Sequence, residues 1–270
     1  MTTTNAPAGV DFKEGFVEAD GFRIRILEAG GGPPLILLHG AGGLNLNRAH
    51  DLLSERHRMV AFEMPGFGAS AENTRTAGTA DLAKTMGAAI DALGIANCDV
   101  LATSFGARVA LWLAVQRPDL VRALVLEAPA AIRPSGATPP AGSPEEIARL
   151  LYAHPERMEP RATVDAATQA RTRALVMRVR GPDRDVDLEA AMPMLAVPTL
   201  VLFGTHDRVM PPELGRHYQA LLPNCHLIFV YDAGHAIAAE RPEAFVEVTA
   251  DFLARREAFV INTASSVIHP

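Results

Sequence analysis

The chain has 270 residues, 49% hydrophobic and 21% charged, a balance that suits a globular protein with a substantial core. A formal net charge of −6 argues against nucleic acid or an anionic membrane surface as its partner. No run reaches the about 18 apolar residues of a membrane span, and Met1-Thr2-Thr3-Thr4-Asn5 lacks the layout of a signal peptide, so a cytoplasmic location is expected.

Taken in order, the chain alternates short apolar runs with helical periodicity. Phe16-Val17-Glu18-Ala19 and Phe22 to Leu27 alternate with period two around Asp20-Gly21, predicting a hairpin. Leu35 to Leu38 is a continuous apolar run ending in His39-Gly40-Ala41-Gly42-Gly43, with a helix expected through Leu52-Leu53. Met59 to Phe62 predicts the next strand, closed by Pro65-Gly66-Phe67-Gly68-Ala69-Ser70. Leu82, Met86, Ile90 and Leu93 then recur at helical spacing, with Asp81 in the first turn and Gly94 at the end.

The stretch Val100-Leu101-Ala102-Thr103-Ser104-Phe105-Gly106-Ala107 reads as a strand that turns sharply at a serine into a helix. Small residues flank Ser104 where a side chain would collide with the turn, the G-x-S-x-G pattern of a nucleophile elbow with alanine at the first glycine. Beyond the strand Ala123 to Leu126 the rhythm changes. Pro134, Pro139, Pro140 and Gly142 mark a loop, Ser143-Pro144-Glu145-Glu146 is a capping box with proline at the first helical position, and no clear strand follows before Leu195. Strands resume at Thr199 to Phe203 and Leu227 to Val230, before a final helix with Pro242 near its start and Phe245, Val248, Phe252 and Leu253 on one face. The two cysteines, Cys98 and Cys225, each open an expected strand and read as structural thiols.

This alternation predicts the α/β class: a mostly parallel, eight-stranded twisted sheet covered on both faces. Residues 1–131 and 196–270 form the expected core and 132–195 a helical insertion serving as a cap. The segment Asn262 to Pro270 reads as a loosely held tail. In such sheets chemistry collects at the C-terminal ends of strands. Gly204-Thr205-His206-Asp207-Arg208-Val209-Met210-Pro211 and Tyr231-Asp232-Ala233-Gly234-His235 both lie there, giving the chain order Ser104, Asp207, His235 found for triads on this kind of sheet. Two other acids compete for the place of Asp207. Glu127 ends its own strand, and Asp232 lies near His235.

From about Phe16 to Leu253 the chain resembles the α/β-hydrolase superfamily, on His39-Gly40, Pro65 to Ser70, the elbow at Ser104, Asp207 to Pro211, and Ala233-Gly234-His235 followed by Glu240-Arg241-Pro242. Glu63 departs mildly from the aspartate common before the Pro-Gly turn. The resemblance implies Ser104 as nucleophile, His235 as the base that removes its proton, and Asp207 as the group that orients the imidazole. It further implies an oxyanion hole from the backbone N–H groups of Phe105 and Ala41, with Gly42 less suited, and His39 packed beneath that loop. Serine at the nucleophile position excludes the superfamily's aspartate-based enzymes. Hydrolysis of a small, largely apolar carboxylic ester is then the first expectation, because it needs only the triad and oxyanion hole. Hydrolysis of a C–C bond in ring-cleavage products is the alternative, weakened because Ala236 follows the histidine where that group often carries a large residue. A non-catalytic receptor for a small ligand is the reading from another class.

Gly42, Met177, Met192, Val209 and Ala236 are expected to line the pocket. Arginines 171, 173, 178, 180 and 184 read as a solvated helix face, one of which could grip an acidic substrate. No H-E-x-x-H, zinc-spaced cysteine pair or P-loop occurs, so no metal or cofactor is expected. The expected partner is a small molecule, and the sequence leaves a homo-oligomer open.

Overall fold

In a computed structural model, which describes residues 9–158 and 165–259, the chain forms one eight-stranded sheet. The strands are β1 (Lys13–Ala19), β2 (Phe22–Ala29), β3 (Pro34–Leu38), β4 (Arg58–Glu63), β5 (Cys98–Thr103), β6 (Val121–Glu127), β7 (Thr199–Gly204) and β8 (Cys225–Val230). Their spatial order is β1-β2-β4-β3-β5-β6-β7-β8. The pairs β1–β2 and β2–β4 are antiparallel and all others are parallel. The hairpin falls where expected, with positive φ at both Asp20 and Gly21, as a type I′ turn requires.

The α-helices among the described residues are α1 (Arg48–Ser54), α2 (Thr79–Ala92), α3 (Phe105–Gln116), α4 (Pro144–Leu151), α5 (Ala166–Val179), α6 (Val186–Ala191), α7 (Gly215–Leu221), α8 (Ile237–Glu240) and α9 (Pro242–Arg255). Because successive strand residues face opposite ways, the sheet feeds two apolar cores. Ile36, Leu38, Val100, Ala102, Leu124, Leu126, Val201 and Phe203 join the core built with α2 and α3. Leu35, Leu37, Leu101, Ala123, Val125, Leu200 and Leu202 join the one that holds Phe245 and Phe252 of α9. Double-sided burial explains why the parallel strands are apolar throughout. β8 is the exception: it pairs only with β7, most of it is half-buried and Phe229 is exposed.

Helices α4, α5 and α6 lie between β6 and β7. The Ser143 capping box forms as its sequence predicts, with the Ser143 hydroxyl accepting from the Glu146 amide and the Glu146 carboxylate accepting from the Ser143 amide. A second box at α1 pairs Asn47 with His50 in place of the usual glutamate, and sequence reading missed it.

The arginines expected on a solvated face are in part engaged elsewhere. Arg178 donates to the backbone carbonyls of Asn73 and Thr74, and Arg180 to the Ala137 carbonyl and Asp183. Beneath them, Arg108 of α3 is fully buried and donates to Arg180 O at 2.7 Å, Pro182 O at 2.8 Å and Asp185 Oδ2 at 2.7 Å. Arg133 reaches Gly181 O and Pro182 O from the other side, and burial pushes its guanidinium down to about 10. Cations placed on the carbonyls that follow α5 complement the negative end of that helix. Met192 is fully buried in the core, so it has no face toward an accessible pocket, while Met177 is 47% exposed on α5. The expected lining role of Met192 is corrected accordingly: its side chain fills the core instead. The Asn262 to Pro270 segment lies outside the described residues. Among the described residues, no helix is long and apolar enough to cross a membrane.

Replacing Arg108 by alanine removes the buried guanidinium, leaving Asp185 with Trp112 Nε1 and the Leu188 amide, and Arg180 O and Pro182 O with Arg133 alone. Stability should fall by about 3 kcal/mol, read as a lower midpoint in urea denaturation; an unchanged midpoint would show that the cluster carries no net stability.

Candidate active site

The topology itself picks the site. The chain runs from β3 outward to β4, then returns across β3 to place β5 on its other side. The strand order therefore reverses between β3 and β5, and in open α/β sheets ligands bind at such a reversal, beyond the C-terminal ends of the strands. His39-Gly40 leaves β3 there, and Ser104 leaves β5.

Ser104 is half-buried at the N-terminus of α3 with φ 52° and ψ −110°. A non-glycine residue at positive φ costs about 1–3 kcal/mol and persists only where its surroundings impose it. Here the Ser104 amide donates to Glu127 O at 2.9 Å, and its carbonyl accepts from Ala107 N at 3.1 Å and Ala130 N at 3.0 Å. Gly106 is required by the same turn: a Cβ there would lie 2.4 Å from Leu38 O and 2.5 Å from His39 O. Phe105 is the first residue of α3, so its amide has no acceptor within the helix.

The loop after β3 is held from below by His39. Its Nδ1–H donates to Gly40 O at 2.7 Å, while its Nε2 accepts from the Met64 amide at 3.1 Å. Its ring meets Phe67 edge-on at 4.5 Å. Burial pushes this imidazole down to about 4, and the amide pointing at Nε2 demands the same neutral form. Gly40 lies against the Ser104 side chain, Ala41 is half-buried, and Gly42 is exposed. Glu63, the departure noted above, folds into the adjoining turn, its carboxylate accepting from the Ala69 amide at 2.6 Å.

The histidine finds Asp207. His235 Nδ1 lies 2.8 Å from Asp207 Oδ2, and Asp207 Oδ1 accepts from the amides of Val209 and Met210, both at 2.8 Å. Both side chains are buried. An ionised carboxylate fixes the proton on Nδ1 and leaves Nε2 free to accept another. Gly204, at the end of β7, lets the two loops come together, since a Cβ there would sit 2.1 Å from Gly234 O. The rival acids are engaged elsewhere. Asp232 pairs with His154 Nε2 at 2.6 Å, a contact that holds its carboxyl below the usual range. Glu127 accepts from Thr103 Oγ1 and Ala238 N, and burial pushes its carboxyl up. Val209 and Ala236 are half-buried beside the pair, and His206 is exposed.

Sequence reasoning missed the contact between these loops and α4. Leu151 O, at the end of α4, accepts from both His235 N at 2.8 Å and Ala236 N at 3.2 Å. Arg208 donates to Arg149 O at 2.7 Å and Tyr152 O at 3.3 Å. The Glu240 carboxylate accepts from Gly234 N at 2.6 Å on one oxygen and from Ala153 N and His154 N at 2.8 and 3.1 Å on the other. The only signal in the sequence was the Glu-Arg-Pro run after the histidine. Burial pushes Cys98 and Cys225 up to about 12, which leaves both thiols unreactive. Among the described residues, no group of three or more His, Cys, Asp or Glu side chains could hold a metal ion.

Residues 35–248 match the profile described as the alpha/beta hydrolase family. The chain is 28% identical over 265 residues to the 2-hydroxymuconate semialdehyde hydrolase of Pseudomonas putida, covering 89% of this chain and 94% of that protein. It is 29% identical to the 2-hydroxy-6-oxo-6-(2'-aminophenyl)hexa-2,4-dienoic acid hydrolase of Metapseudomonas resinovorans, covering 91% of this chain and 92% of that one. Among solved structures, a serine hydrolase involved in carbazole degradation superposes with a TM-score of 0.77 at 25% identity, covering 90% of this chain and 99% of that one.

The buried His39 makes stability depend on pH. Its folded value near 4 lies below the ordinary 6.5, so the unfolded chain binds more protons in between. The contribution is complete above about pH 6.5 and is lost as the pH falls towards 4, on the order of 2–3 kcal/mol by pH 4.5. Urea denaturation at pH 7 and pH 4.5 should show a smaller drop for His39→Gln, which keeps an acceptor for the Met64 amide; equal drops would assign the dependence to other groups.

Proposed function

Because the chain belongs to the alpha/beta hydrolase family, a hydrolase by fold and by its relatives' names, we propose that it works through Ser104, His235 and Asp207 and cleaves a C–C bond next to a carbonyl in a ring-cleavage-type substrate, a 2-hydroxy-6-oxo-dienoate. The observation that carries the catalytic part is the buried Asp207–His235 contact, with the strained Ser104 at the head of α3. The choice of bond is supported by relatives whose names specify such hydrolases and which align along most of their length.

In this reading His235 Nε2 takes the Ser104 proton as the hydroxyl attacks the 6-oxo carbon. The amides of Phe105 and Ala41 receive the negative charge on that oxygen, where losing one such donor costs about 3–4 kcal/mol. The bond to the conjugated side then breaks. The electron pair has a place to go once the 2-hydroxydiene has tautomerised to its 2-oxo form, with a proton added at C5: it leaves as the dienolate of that 2-oxo group, which takes a proton on oxygen, and water releases the acyl group from Ser104 as a carboxylic acid. Helices α4 to α6 act as the cap.

Ester hydrolysis is the second reading, favoured by two observations. Ala236 leaves the position beside the imidazole small, and Arg178 and Arg180 are engaged with protein oxygens and so unavailable to an acidic substrate. The two readings separate by assay with 2-hydroxymuconate semialdehyde, its 6-alkyl and 6-aryl ketone counterparts, and a series of p-nitrophenyl esters. Loss of the dienol absorbance at a kcat/KM above that for the esters is expected. Turnover of esters alone would replace the C–C reading with the ester one. Ser104→Ala should abolish turnover, and Asp207→Asn should lower kcat by roughly 10⁴-fold; retention of activity in Ser104→Ala would refute the assigned nucleophile.

A further inference from the structure

Glu127 is a buried acid that the triad does not use, yet it touches both segments carrying it. Its backbone carbonyl accepts the Ser104 amide at 2.9 Å. Its Oε2 accepts the hydroxyl of Thr103, the residue before Ser104, at 2.6 Å, and its Oε1 accepts the amide of Ala238, three residues after His235, at 2.7 Å. The side chain is buried, with 3% of the residue exposed. Packing alone would be served by leucine at such a position, because an enclosed carboxylate is costly unless its oxygens meet donors.

The sheet offers no short route between the hydroxyl and the imidazole. Ser104 follows β5, whereas His235 follows β8, and three strand pairings separate these strands. Small changes in each pairing add up across them. Glu127 bypasses this path with two hydrogen bonds from one side chain. We propose that Glu127 is a positioning residue, a brace that sets the spacing between Ser104 and His235 without touching the substrate. The proposal rests on the hydrolase reading above.

The test uses Glu127→Gln, Glu127→Ala and Thr103→Val in the full chain. Glutamine can accept the Ala238 amide through its oxygen and donate to Thr103 Oγ1 through its nitrogen, so it keeps both arms. Alanine keeps neither, and Thr103→Val removes one. Labelling of Ser104 by a fluorophosphonate and kcat and KM on the best substrate are measured on samples shown by circular dichroism to be folded. Glu127→Gln should label and turn over within a few-fold of wild type. Glu127→Ala should lose roughly 10²-fold in kcat and labelling rate with little change in KM, as misplacement of reacting groups predicts. Thr103→Val should fall between them. A folded Glu127→Ala that labels at the wild-type rate would overturn the brace, as would a glutamine variant as slow as alanine. Should Glu127→Ala fail to fold, Thr103→Val decides, and a wild-type rate there overturns the proposal. Wild-type protein that is not labelled at Ser104 takes down the hydrolase reading and the brace together; labelled wild type with an equally reactive Glu127→Ala takes down the brace alone.

Discussion

A carboxylate shut away from water must find its donors within the protein, and Asp207 finds three. Two are amides of its own turn, at Val209 and Met210, and the third is the imidazole of His235. The local pair anchors the acid independently of its partner, so the histidine is the part that must come to it. This demand brings the loop after β8 against the end of β7, and Gly204 is what allows the approach. The placement of His235, its tautomer and the free Nε2 follow from satisfying one buried charge.

The segment between β6 and β7 is fastened at two ends by the same chemistry, N–H donors meeting open carbonyls. At one end, carbonyls left open by the close of α4 take the amides of His235 and Ala236 and the guanidinium of Arg208, while Glu240 collects amides from both sides of the same junction. At the other, the carbonyls after α5 are met by Arg108 and Arg133. Helix ends carry unsatisfied groups that something must answer. Here the groups that answer at α4 belong to the loops bearing His235 and Asp207, so a displacement of α4 is felt directly at the imidazole.

The expected strands and helices were legible because double-sided burial writes continuous apolar runs and amphipathic helices write a 3.6-residue period. The elbow was legible because Ala102 and Gly106 answer a local steric need. Charged residues were read less well. Arg178 and Arg180 have the spacing of a solvated face, yet apart from the Asp183 carboxylate beside Arg180 their partners are backbone carbonyls, which leave no mark in a sequence. The same holds for Glu240, whose partners are amides alone. Met192 and Met177 looked equivalent as residue types, and only packing separates the buried from the exposed one. The choice among Asp207, Glu127 and Asp232 was likewise open, because it turns on which carboxylate already has other donors.

Which bond such a site breaks is decided around Ser104 rather than by the triad, since activating a hydroxyl is common to attack on an ester and on a ketone. What differs is the atom that receives the departing electron pair, and hence the groups that face the leaving portion. Next to the three side chains the residues are small or only half-buried: Ala41 and Gly42 after β3, Val209 beside the acid, and Ala236 beside the imidazole. Among the arginines of the insertion, Arg178, Arg180 and Arg184 are held by Asn73, Thr74, Ala137, Asp183 and Glu189. A guanidinium already shared among protein oxygens gains little by turning to a ligand, because the groups it leaves behind lose their partner. The acidic group of a ligand would therefore gain little from these three side chains.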